Sequence, residues 1–215
     1  MVSAGLEILG LSLCVIGSLL VMIACGLPMW KVTAFIEANI VVAQTIWEGL
    51  WMTCAVQSTG QMQCKVHDSV LAMTHDQQAA RALTVISSVM GVLGLMVVIA
   101  GAQCTNCIRT EYIKARVVNA GGVIYIVSGL FVLVPICWMA NNIIADFYSP
   151  QVPAPQKREI GAALYIGWAA AALLLIGGTL LCCSCPSGGN SGYSAQYVTT
   201  QRATQNGDYD KRNYV

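Results

Sequence analysis

The run ILGLSLCVIGSLLVMIACGLPMW, residues 8–30, contains no charged side chain. Three further stretches share that property: 82–108, 117–145 and 160–201. A helix needs about 20 apolar residues to cross the roughly 30 Å hydrocarbon layer of a bilayer, and each stretch can supply them. The fourth is apolar only as far as Cys185 and Pro186, after which Ser, Gly, Asn, Gln and Thr dominate. Of the 215 residues, 56% are hydrophobic and 10% charged, against roughly 25% charged in a soluble domain. Water could not solvate so much apolar surface. The pattern predicts a membrane protein, a left-handed bundle of four transmembrane helices at about residues 8–28, 80–102, 117–139 and 161–184. Loops at about 29–79 and 140–160 and a tail at 187–215 complete the layout, with residues 1–186 as one four-span domain.

Lys and Arg density sets the sidedness. The short middle loop carries Arg109, Lys114 and Arg116, whereas the much longer first loop holds Lys31 and Lys65, with Arg81 at its edge. Cytoplasmic loops are the Lys/Arg-rich ones, so the middle loop and both termini are expected in the cytosol. The first span has no basic residue before it, carries Glu7 and is too long for a typical signal-peptide core, so it is read as a retained helix. A formal net charge of +1 points to no nucleic-acid partner. Helix interiors are rich in Gly and Ala, which let helices approach closely in lipid. Pro135 falls inside the third helix and reads as a tolerated transmembrane proline.

Residues 31–66 are dense in Val, Ile, Phe and Trp and contain no proline, which predicts an extracellular antiparallel β-sheet. Its clearest hairpin pairs Cys54–Gln57 with Gln61–Cys64 around Ser58, Thr59 and Gly60, with the glycine in the left-handed position. That register sets Cys54 opposite Cys64, close enough for a disulfide, in a compartment where disulfides persist. Alternation then turns Lys65 to the face away from Cys64. Ser69–Met73 suggests a short helix, and Thr74 with Gln77 fits a capping box opening the second span.

Trp30, the run Trp47-Glu48-Gly49-Leu50-Trp51, Cys54 and Cys64, on a four-span frame, resemble the claudin signature. The resemblance extends to Arg81, to Asp146-Phe147-Tyr148 with Pro150, to Lys157-Arg158-Glu159 and to the terminal Tyr214-Val215. It implies a tight-junction protein of the plasma membrane, polymerising into strands with other claudins in its own and the opposing membrane, and controlling paracellular ion flux. An auxiliary channel subunit or other non-junctional tetraspan adhesion protein is the alternative, because relatives of those kinds share the W, GLW, C, C part.

Trp30, Gly49, Leu50 and Trp51 read either as aromatic anchors at the headgroup level or, by resemblance, as residues that pin the sheet to the membrane surface. The resemblance places Lys65 on the paracellular path, where a cation disfavours cations and tolerates anions. It assigns Val70, Phe147, Tyr148, Arg158 and Glu159 to strand assembly and adhesion. Ser149-Pro150-Gln151-Val152 departs at Ser149 and Gln151 from the run by which some claudins bind a clostridial enterotoxin, which counts against toxin binding. Cys104, Cys107, Cys182 and Cys183, at the inner face, are palmitoylation candidates. Zinc would need a small folded domain around them. A thiol oxidoreductase would need CxxC on the oxidising side. No catalytic constellation, metal site or cofactor motif is evident, and the reading is structural. The polar tail is read as disordered, and its Tyr214-Val215 end as a strand to be added to a PDZ groove of a junction scaffold.

Overall fold

The computed structural model describes residues 4–33, 45–57, 60–67, 73–101, 111–153 and 157–184. Four helices, α1 (Ala4–Gly26), α2 (His75–Gly101), α3 (Glu111–Tyr148) and α4 (Ala162–Cys183), form the bundle. All four are long and apolar enough to span a membrane. Helix α1 packs on α4 and α2, and α3 packs on α2 and α4, so the four close into a ring.

The burial pattern is that of a protein whose solvent is lipid. Inward positions of α2 are small, among them Ser87, Gly91 and Gly94, while Val89, Leu93 and Met96 point outward and are about half exposed or more. Without a hydrophobic drive between helices, association rests on close packing and interhelical hydrogen bonds. Both are present. A Cβ on Gly178 of α4 would lie 2.8 Å from the carbonyl oxygen of Gly122 on α3, a distance that real Cβ atoms do not reach, so the two helices touch backbone to backbone only because both residues are glycine. Between α2 and α3, Ser87 Oγ donates to the Ser128 carbonyl at 2.9 Å and Ser128 Oγ donates to the Ser87 carbonyl at 3.0 Å.

At the end where α1 and α3 finish and α2 and α4 begin lies an antiparallel sheet of five strands, ordered β4-β3-β2-β1-β5. The strands are β1 (Lys31–Thr33), β2 (Thr45–Glu48), β3 (Met52–Val56), β4 (Met62–Val66) and β5 (Arg158–Ile160). The first four come from the first loop, as its β-rich composition predicts. The fifth comes from the second loop and pairs with β1 through Lys31 and Ile160, Val32 and Glu159, Thr33 and Arg158.

Several boundaries differ from the sequence reading. Helix α3 runs from 111 to 148 where hydropathy suggested 117–139, because hydropathy finds the lipid-contacting part while the helix continues until Pro150 disfavours it. Pro135 lies within it without ending it. The second connection is correspondingly shorter than 140–160. Helix α2 begins at His75, just after Thr74, where apolarity alone suggested 80. Helix α1 ends at Gly26, ahead of Pro28, two residues before the expected 28. The short helix expected over Ser69–Met73 lies mostly outside the described residues.

Candidate functional site

The sheet is fastened to the bundle by the residues around Trp30 and the Gly49-Leu50-Trp51 turn. Trp30 is 1% exposed, and its indole Nε1 donates to the Ala24 carbonyl at 2.8 Å. That carbonyl belongs to the last turn of α1, whose oxygens have no partner within the helix. The Trp30 backbone receives further bonds, since its N–H donates to the Glu48 carbonyl and its carbonyl accepts from Gly161 N, each at 3.0 Å. Tryptophan here is an interior joint between α1, β2 and the start of α4. Leu50 is fully buried in the same apolar cluster. Gly49 N donates to the Met52 carbonyl at 3.0 Å, closing the turn between β2 and β3. A Cβ on Gly49 would collide with the Pro28 backbone, so only glycine lets this turn sit on the end of α1. Trp51 is partly exposed and is covered by the Arg81 guanidinium, 4.7 Å from its ring centre. Arg81 Nε also donates to the Leu50 carbonyl.

Cys54 and Cys64 are bridged, with a Cα separation of 4.0 Å. They sit opposite one another in the β3–β4 register, and the loop between them turns at Gly60, whose φ is +77°. Ser58 and Thr59 lie outside the described residues. Lys65 pairs across β3 with Thr53, on the face away from the bridge, in a strand exposed along its whole length.

Phe147, Tyr148, Arg158 and Glu159 come together although nine residues separate the two pairs in sequence. With Ile143, Ile144, Ile160 and Tyr165 they line an open groove of about 260 Å³ between the end of α3, β5 and the start of α4. Phe147 and Tyr148 meet edge to face, with ring centres 5.5 Å apart. Lys157 Nζ lies 5.6 Å from the Phe147 ring centre. Tyr148 is 78% exposed. Ser149 and Gln151 form the turn beyond, where Gln151 N donates to Ser149 Oγ at 3.4 Å.

At the opposite end of the bundle Cys183 is exposed, while Cys182 is half-buried with its thiol 3.8 Å from the Asn119 carbonyl. Val70, Cys104, Cys107, Tyr214 and Val215 lie outside the described residues. Among the described residues no group of three or more His, Cys, Asp or Glu side chains is placed to hold a metal.

Two arrangements escape a reading of the sequence. Arg158 reaches across β1 so that Nη2 meets Glu48 Oε1 at 2.9 Å and Nη1 donates to Thr33 Oγ1 at 3.0 Å. The Arg-Glu-Ile run is too short to announce a strand, and only its opposite charge relative to Glu48 hinted at a partner. Asn142 Nδ2 donates to Asp76 Oδ2 at 2.8 Å, joining the first turn of α2 to α3, a bond between two polar residues distant in sequence.

Four spans closed into a ring, capped at one end by a disulfide-bridged sheet fastened through a buried tryptophan and a Gly-Leu-Trp turn, define a class of multi-pass membrane protein. The model of the PMP-22/EMP/MP20/Claudin family matches residues 4–181. Human claudin-6 is 55% identical over 220 residues, covering 100% of both chains. Mouse claudin-5 is 56% identical over 99% of each, and human claudin-4 is 56% identical over 94% of this chain and 97% of its own. The chain belongs to the claudin family.

Proposed function

We propose that this claudin is a tight-junction protein that controls paracellular ion flux, disfavouring cations and tolerating anions, and that its role is structural, not catalytic. In this reading the sheet faces the extracellular space and both termini the cytosol. The bias of Lys and Arg toward the middle loop supports that orientation. Lys65 carries the selectivity reading. It stands on an exposed strand, on the face away from the disulfide. A fixed charge within the roughly 8 Å Debye length of a permeating ion acts on it with little screening, so the sign at this position biases flux.

Chains polymerise side by side through the groove between α3, β5 and α4, which receives the Val70 segment of a neighbour, and head to head through the exposed aromatic end of α3. A groove of mixed aromatic, aliphatic and ionic lining beside a largely exposed Tyr148 fits such a partner. PDZ scaffolds take the Tyr214-Val215 end, and acyl chains on Cys104, Cys107, Cys182 or Cys183 hold the inner face to lipid.

The test is the dilution potential and resistance of an epithelial monolayer expressing the chain, beside Lys65→Asp at matched surface level. A wild type that disfavours sodium relative to chloride, with a variant shifted toward sodium, supports the reading. Equal ion selectivity of the two at cell contacts would overturn it.

A further inference from the structure

The strand register carries the selectivity reading beyond Lys65. Directly opposed residues of an antiparallel sheet share a face. Lys65 opposes Thr53, Thr53 opposes Glu48, Glu48 opposes Lys31 and Lys31 opposes Ile160, so one transverse row crosses all five strands. Arg158, opposite Thr33 and two residues from Ile160, lies on the same face. Its bonds to both Thr33 and Glu48 establish this independently of the register. The other strand carboxylate, Glu159, opposes Val32 and belongs to the opposite face. Among the described residues, the ionic groups that the strands place on this face are thus three cations and one carboxylate, and that carboxylate is held by a cation at 2.9 Å.

Resting on the proposed paracellular role of Lys65, we infer that Arg158 is a specificity-determining residue. It neutralises Glu48, the carboxylate of that row, so that Glu48 does not offset Lys31 and Lys65. With strands about 4.8 Å apart, Lys31 and Lys65 stand about 14 Å from each other, three strand spacings. An ion crossing this face passes both within about one Debye length. An uncompensated Glu48 between them would cancel much of that field. Arg158 removes the cancellation without adding a carboxylate elsewhere on the face.

The experiment reads the sodium-to-chloride permeability ratio of monolayers expressing Arg158→Gln, Glu48→Gln, the double variant, Lys31→Gln and Lys65→Asp, at matched junctional level. Arg158→Gln frees the carboxylate and raises the ratio by about two-fold or more, the size expected for a unit charge about 8–10 Å from the ion in a watery path. Glu48→Gln leaves Arg158 uncompensated and lowers it. The double variant returns toward wild type, and Lys31→Gln raises the ratio. Opposite signs with cancellation in the double variant are not produced by a residue that serves only folding or assembly. If Arg158→Gln and Glu48→Gln move the ratio in the same direction, or not at all, while Lys65→Asp shifts it, this inference is overturned and the paracellular reading stands. If Lys65→Asp also leaves the ratio unchanged, the underlying reading fails with it.

Discussion

The Arg81 guanidinium lies 4.7 Å from the centre of the Trp51 ring while its Nε donates to the carbonyl of Leu50, the residue just before that tryptophan. One side chain in the second turn of α2 thereby clamps the turn that seats the sheet on the bundle. A charge-assisted hydrogen bond contributes about 1.5–3 kcal/mol and a cation–π contact at a partly exposed site about 0.5–1 kcal/mol. Arg81→Ala is expected to lose about 2–3 kcal/mol on those terms and to leave the Leu50 carbonyl without this donor. Arg81→Lys keeps the charge but not the planar fork, and recovers only part of the loss. Thermal unfolding of purified protein in detergent measures both. A wild-type midpoint for Arg81→Ala would dismiss the clamp.

The bridge between Cys54 and Cys64 closes a short loop, with a sequence separation of 10. Loop-closure entropy assigns such a bridge roughly 2–3 kcal/mol. The double substitution Cys54→Ala/Cys64→Ala removes it without leaving an odd thiol. The hairpin edge is expected to open first, because β4 is exposed along its length and, among the described strands, pairs only with β3. Amide hydrogen exchange over residues 52–66 reads this. Unchanged protection there would show that strand pairing alone holds β4.

Gly178 tests the backbone contact of α3 and α4. A side chain there meets the Gly122 carbonyl and Ile126 Cγ1, each 2.8 Å from its Cβ, and neither helix backbone can yield without repacking. Gly178→Val is expected to destabilise by about 1–3 kcal/mol or more, the usual effect of overpacking. Gly26→Ala is the control, since an added Cβ there meets nothing within 4 Å. Detergent-extracted yield and melting point should fall for the first and hold for the second. Equal behaviour would mean that the helices slide apart at no cost.

Tyr148 separates folding from assembly. At 78% exposure, on the last residue of α3, it contributes little to the fold of its own chain. Tyr148→Ala should change stability by no more than about 0.5 kcal/mol, while reducing strand formation, seen by freeze-fracture in cells that lack junctions. Normal strands from this variant would remove the exposed aromatic end of α3 from the proposed contact surface.

The membrane frame was legible in the sequence because exclusion of charge from lipid acts residue by residue. A stretch without charge is visible wherever it folds, and four such stretches give four spans. The disulfide was legible for a related reason, since a three-residue turn with a left-handed glycine fixes the register of its own hairpin and sets Cys54 across from Cys64. Both signals are local. What depended on segments far apart was decided by tertiary structure alone. Trp30 could have been a headgroup anchor by its position next to a span; its burial at 1% exposure and its bond to Ala24 follow only once β2 and α4 close over it. Arg158 and Glu48 are 110 residues apart. Their pairing requires the second loop to donate β5 to the edge of a sheet built from the first, an event that no window of sequence contains. The sequence determined the solvent of each segment, because solvation is a property of single side chains. The face, the partner and the compensated charge were determined by register, which exists only between strands.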